Sequence, residues 1–311
     1  MKFSIIIPTR NRYPILDKLI ASINDLDYRG SFETVITDQS DVKREITPPR
    51  RGACLCLPME RKGAAASRNH AIRHARGDYL LFVDDDAVFE KGSLTAADRL
   101  VSQYPGHACI CGLTTLPDGR RAYSRHAGAA EAPVTFNRFE CCLLSSMIVK
   151  REAMLEAGLF DEQLGIGAKY GGSEESDLVL RLLERNEAVM YSPAFRVRHP
   201  DVDARKTALG CWVRKHYTYG VGRGAMLRKH WRAKPRWALC YSALSLLRPM
   251  AGLLAELLRF RPRSALRYAA SAAGRIRSLP HFQKWVWPHV TTCLPSSLRP
   301  LRQVLTVYIV V

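Results

Sequence analysis

The chain has 311 residues, enough for one large domain or two, and its 47% hydrophobic content excludes an intrinsically disordered chain. Its formal charge of +18 is unevenly spread: residues 1–200 carry 27 Lys and Arg against 26 Asp and Glu, and residues 201–311 carry 20 against 3. Two parts with different partners are expected, a near-neutral domain over 1–203 and a basic region over 204–311. Nine cysteines occur, among them the C-x-C pairs Cys54/Cys56 and Cys109/Cys111 and the neighbours Cys141/Cys142. None has the C-x2-C spacing of a zinc site, and the odd total argues against a complete disulfide set, so mostly buried, reduced thiols in a cytoplasmic setting are expected. The apolar run in the opening MKFSIIIPTR is too short for a secretion signal.

Phe3 to Ile7 reads as a buried strand ended by Pro8, and Pro14 to Asn24 as a helix with Ile15, Leu19 and Ile23 on one face. Phe32 to Thr37 is a second strand, Ala64 to Arg76 a helix closed by Gly77, and Tyr79 to Val83 a third strand. Ser93 to Tyr104 follows as a helix and His107 to Cys111 as a strand; after a loop-rich stretch over 113–138, Arg151 to Ala157 is a short helix closed by Gly158. Strands alternating with helices indicate an α/β domain with a mostly parallel, Rossmann-like sheet.

The third strand runs straight into Asp84, Asp85 and Asp86. Adjacent carboxylates repel and are costly to bury, so their place at the mouth of a core strand fits a bound cation; a solvated acidic turn is the alternative. Ligands bind such sheets beyond the carboxyl ends of the strands. That rim collects Pro8-Thr9-Arg10, Asp38-Gln39-Ser40 and the three aspartates. Further on, Gly171-Gly172 precede a helix that starts near Glu174, which puts Glu174 and Glu175 in its first turn. The helix dipole favours carboxylates there, and the two glycines would let a ligand or loop approach closely.

Taken in order, SIIIPTRNR, ITDQSD, KGAAASRNHAIRHARGDYLLFVDDD, MLEAGLFDE, SEESDLVLRLL and VRHP resemble the inverting family 2 glycosyltransferases of the GT-A fold, over about residues 3–200. The resemblance implies a nucleotide-sugar donor, UDP- or TDP-linked, with Pro8, Thr9 and Arg10 lining the base pocket. Asp38 would accept the imide N–H of the base, and Arg68 would approach the nucleotide or its diphosphate. Asp84-Asp85-Asp86 matches the family's D-x-D motif: Asp84 and Asp85 would contact the nucleotide-sugar, and Asp86 would bind Mn²⁺ or Mg²⁺, with His199 as a further metal ligand. The family's Glu-Asp signature falls on Glu174 and Glu175. Glu175 would be the general base in place of the usual Asp, a departure of one methylene that leaves the base open between Glu175 and Asp177. A metal-dependent, inverting hexosyltransferase acting in surface polysaccharide or glycolipid assembly, on a saccharide or lipid-linked acceptor, is implied.

The basic region mixes Lys and Arg with Trp212, Tyr217, Tyr219, Trp231 and Trp237, then turns apolar from Ala238 to Leu258, interrupted by Arg248-Pro249 and Glu256. Central charge argues against a clean membrane span. A pair of interfacial helices fits better, with peripheral attachment to the anionic cytoplasmic face of a membrane. The rivals are a nucleotidyltransferase on a similar sheet and a nucleic-acid-binding protein. The second accounts for the basic region but leaves the rim unexplained, so no nucleic acid is expected as a partner.

Overall fold

The structure, a computed structural model, describes residues 2–122, 130–200, 207–231 and 234–278. Nine strands form one mixed sheet: β1 (Phe3–Thr9), β2 (Phe32–Asp38), β3 (Ala53–Pro58), β4 (Tyr79–Phe82), β5 (Val88–Phe89), β6 (His107–Thr115), β7 (Ala132–Pro133), β8 (Met147–Lys150) and β9 (Ala188–Arg198). Their order is β3-β2-β1-β4-β8-β6-β9-β5, with β7 pairing β9 off that path. Strands β1 to β4 are mutually parallel. The apolar runs FSIII and YLLF are continuous rather than alternating because such strands are covered on both faces.

Helix α1 (Tyr13–Asn24) begins one residue before Pro14, which suits the first turn because it has no N–H to leave unpaired. Its buried face is Leu16, Leu19, Ile20 and Ile23; Ile15, expected inside, is 36% exposed. Helices α2 (Ala64–His74), α3 (Ser93–Gln103), α4 (Arg151–Glu156) and α5 (Glu174–Glu184) follow close to the expected positions. The sequence reading missed β3, β8 and β9. Strand β8 is antiparallel to both neighbours, β4 and β6, so the sheet is mixed where a mostly parallel one was expected. In β9 the pairing with β6 slips between Cys111 and Leu113, which places Pro193 in the irregular stretch where a missing N–H costs no ladder bond. Gly112 lies at that slip; a Cβ there would meet the Phe195 carbonyl oxygen at 2.5 Å.

The chain divides into two compact units, Met1–Glu162 with Glu174–Asp201, and Gln163–Ser173 with Val202–Val311. The boundary expected at 203/204 lies outside the described residues, as do residues 123–129 of the expected loop. The segment Gln163–Ser173 was expected in the catalytic part but clusters with the helical unit. Its backbone lies directly on α6 (Leu209–His230), and a Cβ on Gly222 of that helix would meet the Gly171 carbonyl oxygen at 2.1 Å. Only a hydrogen side chain admits that approach.

In the helical unit, α7 (Pro235–Leu258) runs unbroken through Pro249 and is followed by α8 (Pro262–Ser278). Its stretch Arg236–Leu258 is long and apolar enough to cross a membrane by length and composition, with a third of the window buried within the protein. The cysteines are free thiols among the described residues. Cys109, Cys111, Cys141 and Cys142 are buried as expected, whereas Cys56, Cys211 and Cys240 are exposed.

Candidate active site

The carboxyl ends of β1, β2 and β4 meet at one rim. Thr9 pairs in register with Asp38, and the Gln39 N–H donates to the Thr9 carbonyl over 2.9 Å. Asn11, in the left-handed region at φ 56°, turns the chain back after β1, a conformation Asn tolerates better than most residues. It is locked there by the 38–41 loop: its N–H donates to Ser40 Oγ, its Nδ2 to Asp41, and the Asp41 N–H to its Oδ1.

Asp38 is buried and accepts from the Tyr13 hydroxyl at 2.7 Å and the Ser40 N–H at 2.8 Å. Burial pushes its pKa up, but the hydrogen bonds from Ser40 and Tyr13 outweigh burial and hold it below the usual range. It is therefore a carboxylate at neutral pH. Pro8 sits in β1 opposite Thr37. Arg10 faces Asp41 at 3.4 Å, beside the Asp38 loop rather than at the aspartate turn, with its side chain half exposed.

At the aspartate turn, the Thr9 hydroxyl donates to Asp85 Oδ2 at 2.8 Å. Arg12, which the sequence reading passed over, forks across the turn: Nη1 lies 2.8 Å from Asp85 Oδ1 and Nη2 2.5 Å from Asp86 Oδ2. Burial pushes the Asp85 carboxyl up to about 6 against the pull of Arg12 and Thr9. For Asp86 burial acts in the same direction, but His199 and Arg12 overcome it and hold the carboxyl well below the usual range. Arg68, buried on α2, joins the turn to the start of α5, with Nη2 2.7 Å from Asp84 and Nη1 3.4 Å from Glu174.

Glu174 is buried, and burial together with the charge of Glu175 pushes its carboxyl up to about 7 against Arg68. Glu175, its neighbour, is half-buried. Asp177 is fully buried, bound by Arg181 Nε at 2.8 Å, and the Arg181 fork also donates to the Leu159 and Ala157 carbonyls. That arrangement fastens α5 to the end of α4 and engages the Asp177 carboxylate with Arg181.

The residues expected to hold a cation are Asp86 and His199. His199 Nδ1 faces the Pro200 carbonyl at 2.9 Å; a carbonyl only accepts, so Nδ1 carries the proton. Nε2 then points at Asp86 Oδ1, 3.1 Å away, and at Asp84 Oδ2, 3.9 Å away. Asp86 Oδ1 is buried and has no aligned hydrogen-bond donor, the His199 contact being close but poorly directed. Among the described residues, no group of three or more His, Cys, Asp or Glu is placed to hold a metal ion by itself. An orphaned carboxylate oxygen beside an imidazole nitrogen fits Mn²⁺ or Mg²⁺, which take one or two protein carboxylates and complete their shell from substrate phosphates and water.

Beyond Arg12, the sequence reading missed Tyr13 as the donor that fixes Asp38 and Asn11 as the hinge of the rim. Asn11 carried a signal, because Asn after a strand is a common left-handed residue. Arg12 carried none, since its direction depends on that turn.

The description Glycosyl transferase family 2 matches residues 4–156, which carry β1, the Asp38 loop, Arg68 and the aspartate turn. Residues 4–156 belong to glycosyl transferase family 2. A curated relative, the Pre-mycofactocin glycosyltransferase of Mycobacterium tuberculosis, is 26% identical over 244 residues, 73% of this chain and 48% of that protein; the chain spans about half the length of that relative. The mannosyltransferase PcManGT of Pyrobaculum calidifontis, solved with GDP-Man and Mn²⁺, aligns at a TM-score of 0.59 and 18% identity over 98% of this chain and 84% of its own. Residues 1–349 of TarS from S. aureus, solved with UDP-GlcNAc, align at 0.53 and 18% identity over 91% and 92%. At that identity the two structures share the GT-A fold and nothing finer. In this chain Glu174, Glu175 and His199 lie beyond the matched stretch, and their place in the site rests on the geometry above.

Proposed function

We propose that the protein transfers a hexosyl group from a nucleoside-diphosphate sugar, with uridine or thymidine as the base, to an acceptor hydroxyl with inversion, in surface polysaccharide or glycolipid assembly. The observation that carries this reading is the reach of Arg68, one buried guanidinium touching both the aspartate turn and the first turn of α5. It brings a diphosphate site and a carboxylate base to the same rim. Structural neighbours that bind GDP-Man with Mn²⁺ and UDP-GlcNAc support the donor class.

In this reading the ionised Asp38 accepts the imide N–H of the base, while Asp84 and Asp85 orient the ribose side. Arg68 offers its fork to the diphosphate. A Mn²⁺ or Mg²⁺ ion held by Asp86 and His199 would neutralise charge on the departing nucleoside diphosphate. Glu175 takes the proton of the acceptor hydroxyl as its oxygen attacks the anomeric carbon opposite the leaving group; one displacement inverts that centre. Glu174 holds Arg68 and, with a carboxyl near 7, spares the site a further full negative charge. A nucleic-acid-binding reading leaves the three-part rim unexplained, and the family match does not favour a nucleotidyltransferase.

Calorimetric titration of the full chain with UDP, TDP and GDP, each with Mn²⁺ or with excess chelator, tests the donor class. One nucleotide is expected to bind in a metal-dependent manner, and Asp86→Ala to weaken it about tenfold or more, the loss of a charged contact. A folded sample that binds none of the three would end this reading.

The acceptor side is proposed to be a membrane surface. Leu239, Leu247, Met250, Leu254 and Leu258 of α7 are all about half or more exposed along one side of the helix, and Phe260 just after it is 92% exposed. Exposed Arg248, in the middle of α7, and Arg259, just past its end, offer positive charge to anionic headgroups. The full chain is expected to float with phosphatidylglycerol vesicles, and L247E combined with L254E to cut recovery about tenfold, the removal of two buried leucines. Equal recovery of parent and variant would exclude this face as the anchor.

A further inference from the structure

Arg12 is the charged residue at the aspartate turn that none of the proposed steps uses. It is the N-cap of α1, thrown toward the aspartates by the left-handed turn at Asn11. A cation at the N-terminus of a helix is disfavoured by the helix dipole, so Asp85 and Asp86 are what hold it there. The partners differ in freedom: the side chains of Asp85 and Asp86 are 5% and 17% exposed, that of Arg12 is 43% exposed. If the contact breaks, the guanidinium is the group that moves.

Asp86 is divided between two kinds of partner. Oδ2 is taken by Arg12, whereas Oδ1, facing His199 Nε2, has no aligned donor. A divalent cation on Oδ1 would stand within a few ångströms of the guanidinium on Oδ2, and like charges at that range repel. The two other arginines of the rim are committed elsewhere: Arg68 is buried between Asp84 and Glu174, and Arg10 faces Asp41. A planar fork released beside a diphosphate matches its oxygens bidentately.

We propose that Arg12 is the resident counter-ion of the aspartate turn, that it leaves Asp86 when a divalent cation binds there, and that it then takes the diphosphate of the donor. The proposal rests on the nucleotide-sugar reading above. Arg12 thereby keeps the three aspartates compensated in the empty site and adds a positive charge to the leaving group only in the loaded one.

Two titrations of the full chain decide it: Mn²⁺ alone, and then the nucleotide that the parent binds in saturating Mn²⁺. Arg12→Gln is expected to tighten Mn²⁺ alone about tenfold, by removing the competing cation, and to weaken the nucleotide about tenfold, by removing a charged contact. Arg12→Lys, which keeps the charge and loses the fork, should fall between the two in both titrations. The exposed Arg99→Gln controls for a general loss of positive charge, and the thermal unfolding midpoint for a damaged fold. Should Arg12→Gln misfold, the same opposite changes read on Arg12→Lys decide the matter. Mn²⁺ affinity that is unchanged or weakened in a folded variant overturns the proposal, and so does unchanged nucleotide affinity. A parent that binds no nucleotide overturns the donor reading and with it the second half of the exchange, whereas the Mn²⁺ titration still tests the counter-ion half.

Discussion

Glu175→Gln is expected to lower the turnover of sugar transfer about 10³-fold, the scale of a lost general base. Nucleotide affinity and the unfolding midpoint should stay near those of the parent chain, because Glu175 is half-buried in the first turn of α5 and the amide keeps its shape. Glu174 is the natural comparison. It is buried, its carboxyl is pushed up to about 7, and it is engaged with Arg68 at 3.4 Å. Glu174→Gln therefore mimics a form the residue already populates near neutrality and should cost turnover less than about tenfold. Single-turnover rates of the two variants, with nucleotide binding measured alongside, separate the assignments. Near-parental transfer by Glu175→Gln, with a deep loss in Glu174→Gln, would transfer the base to Glu174.

Arg68→Met is expected to destabilise the protein by about 2–3 kcal/mol, toward the low end for breaking a buried ion pair because Asp84 is partly exposed. The loss should depend on pH, and its sign follows from Glu174. That carboxyl titrates near 7 in the folded protein, against 4.5 for a free glutamate, first through burial and then through Glu175. Between those values the folded state binds the proton more tightly than the unfolded state, so stability falls as pH rises through the window. Arg68 works against that fall, and without it the fall extends to higher pH. Urea unfolding at about pH 5 and about pH 8 should show the larger loss at the higher pH. A loss equal at both, or below about 0.5 kcal/mol, would mean that Arg68 does not compensate these carboxylates.

How far the sequence could be read depended on whether a feature is local. Parallel strands β1 and β4 were legible as short apolar runs, because burial on both faces leaves a continuous apolar signature, although β1 runs on through Pro8 to Thr9; β2, FETVITD, was legible instead from its β-branched residues. Strand β9 was not, since Pro193 within a run argues against a strand unless a bulge relieves it, and a bulge is a property of the pairing with β6. The buried face of α1 was misplaced by one position, Ile15 for Leu16, because apolar residues at both leave the choice to the sheet beneath. Asp38 and the aspartate turn were legible from their place after strands. The engagement of Asp177 with Arg181 was not, because it depends on the approach of Arg181 to the carbonyls of Ala157 and Leu159.

The sequence by itself determined β1, β2 and β4 and which carboxylates stand at their ends, since such runs and the charges that terminate them are local in the chain, whereas β8 and β9 were not determined by it. Tertiary structure alone decided how those charges are compensated: Arg12 on Asp85 and Asp86, Arg68 between Asp84 and Glu174, Tyr13 on Asp38. Compensation of charge is a matter of distance in space, and residues as far apart in the chain as Arg68 and Glu174 meet only when the sheet has brought their elements together.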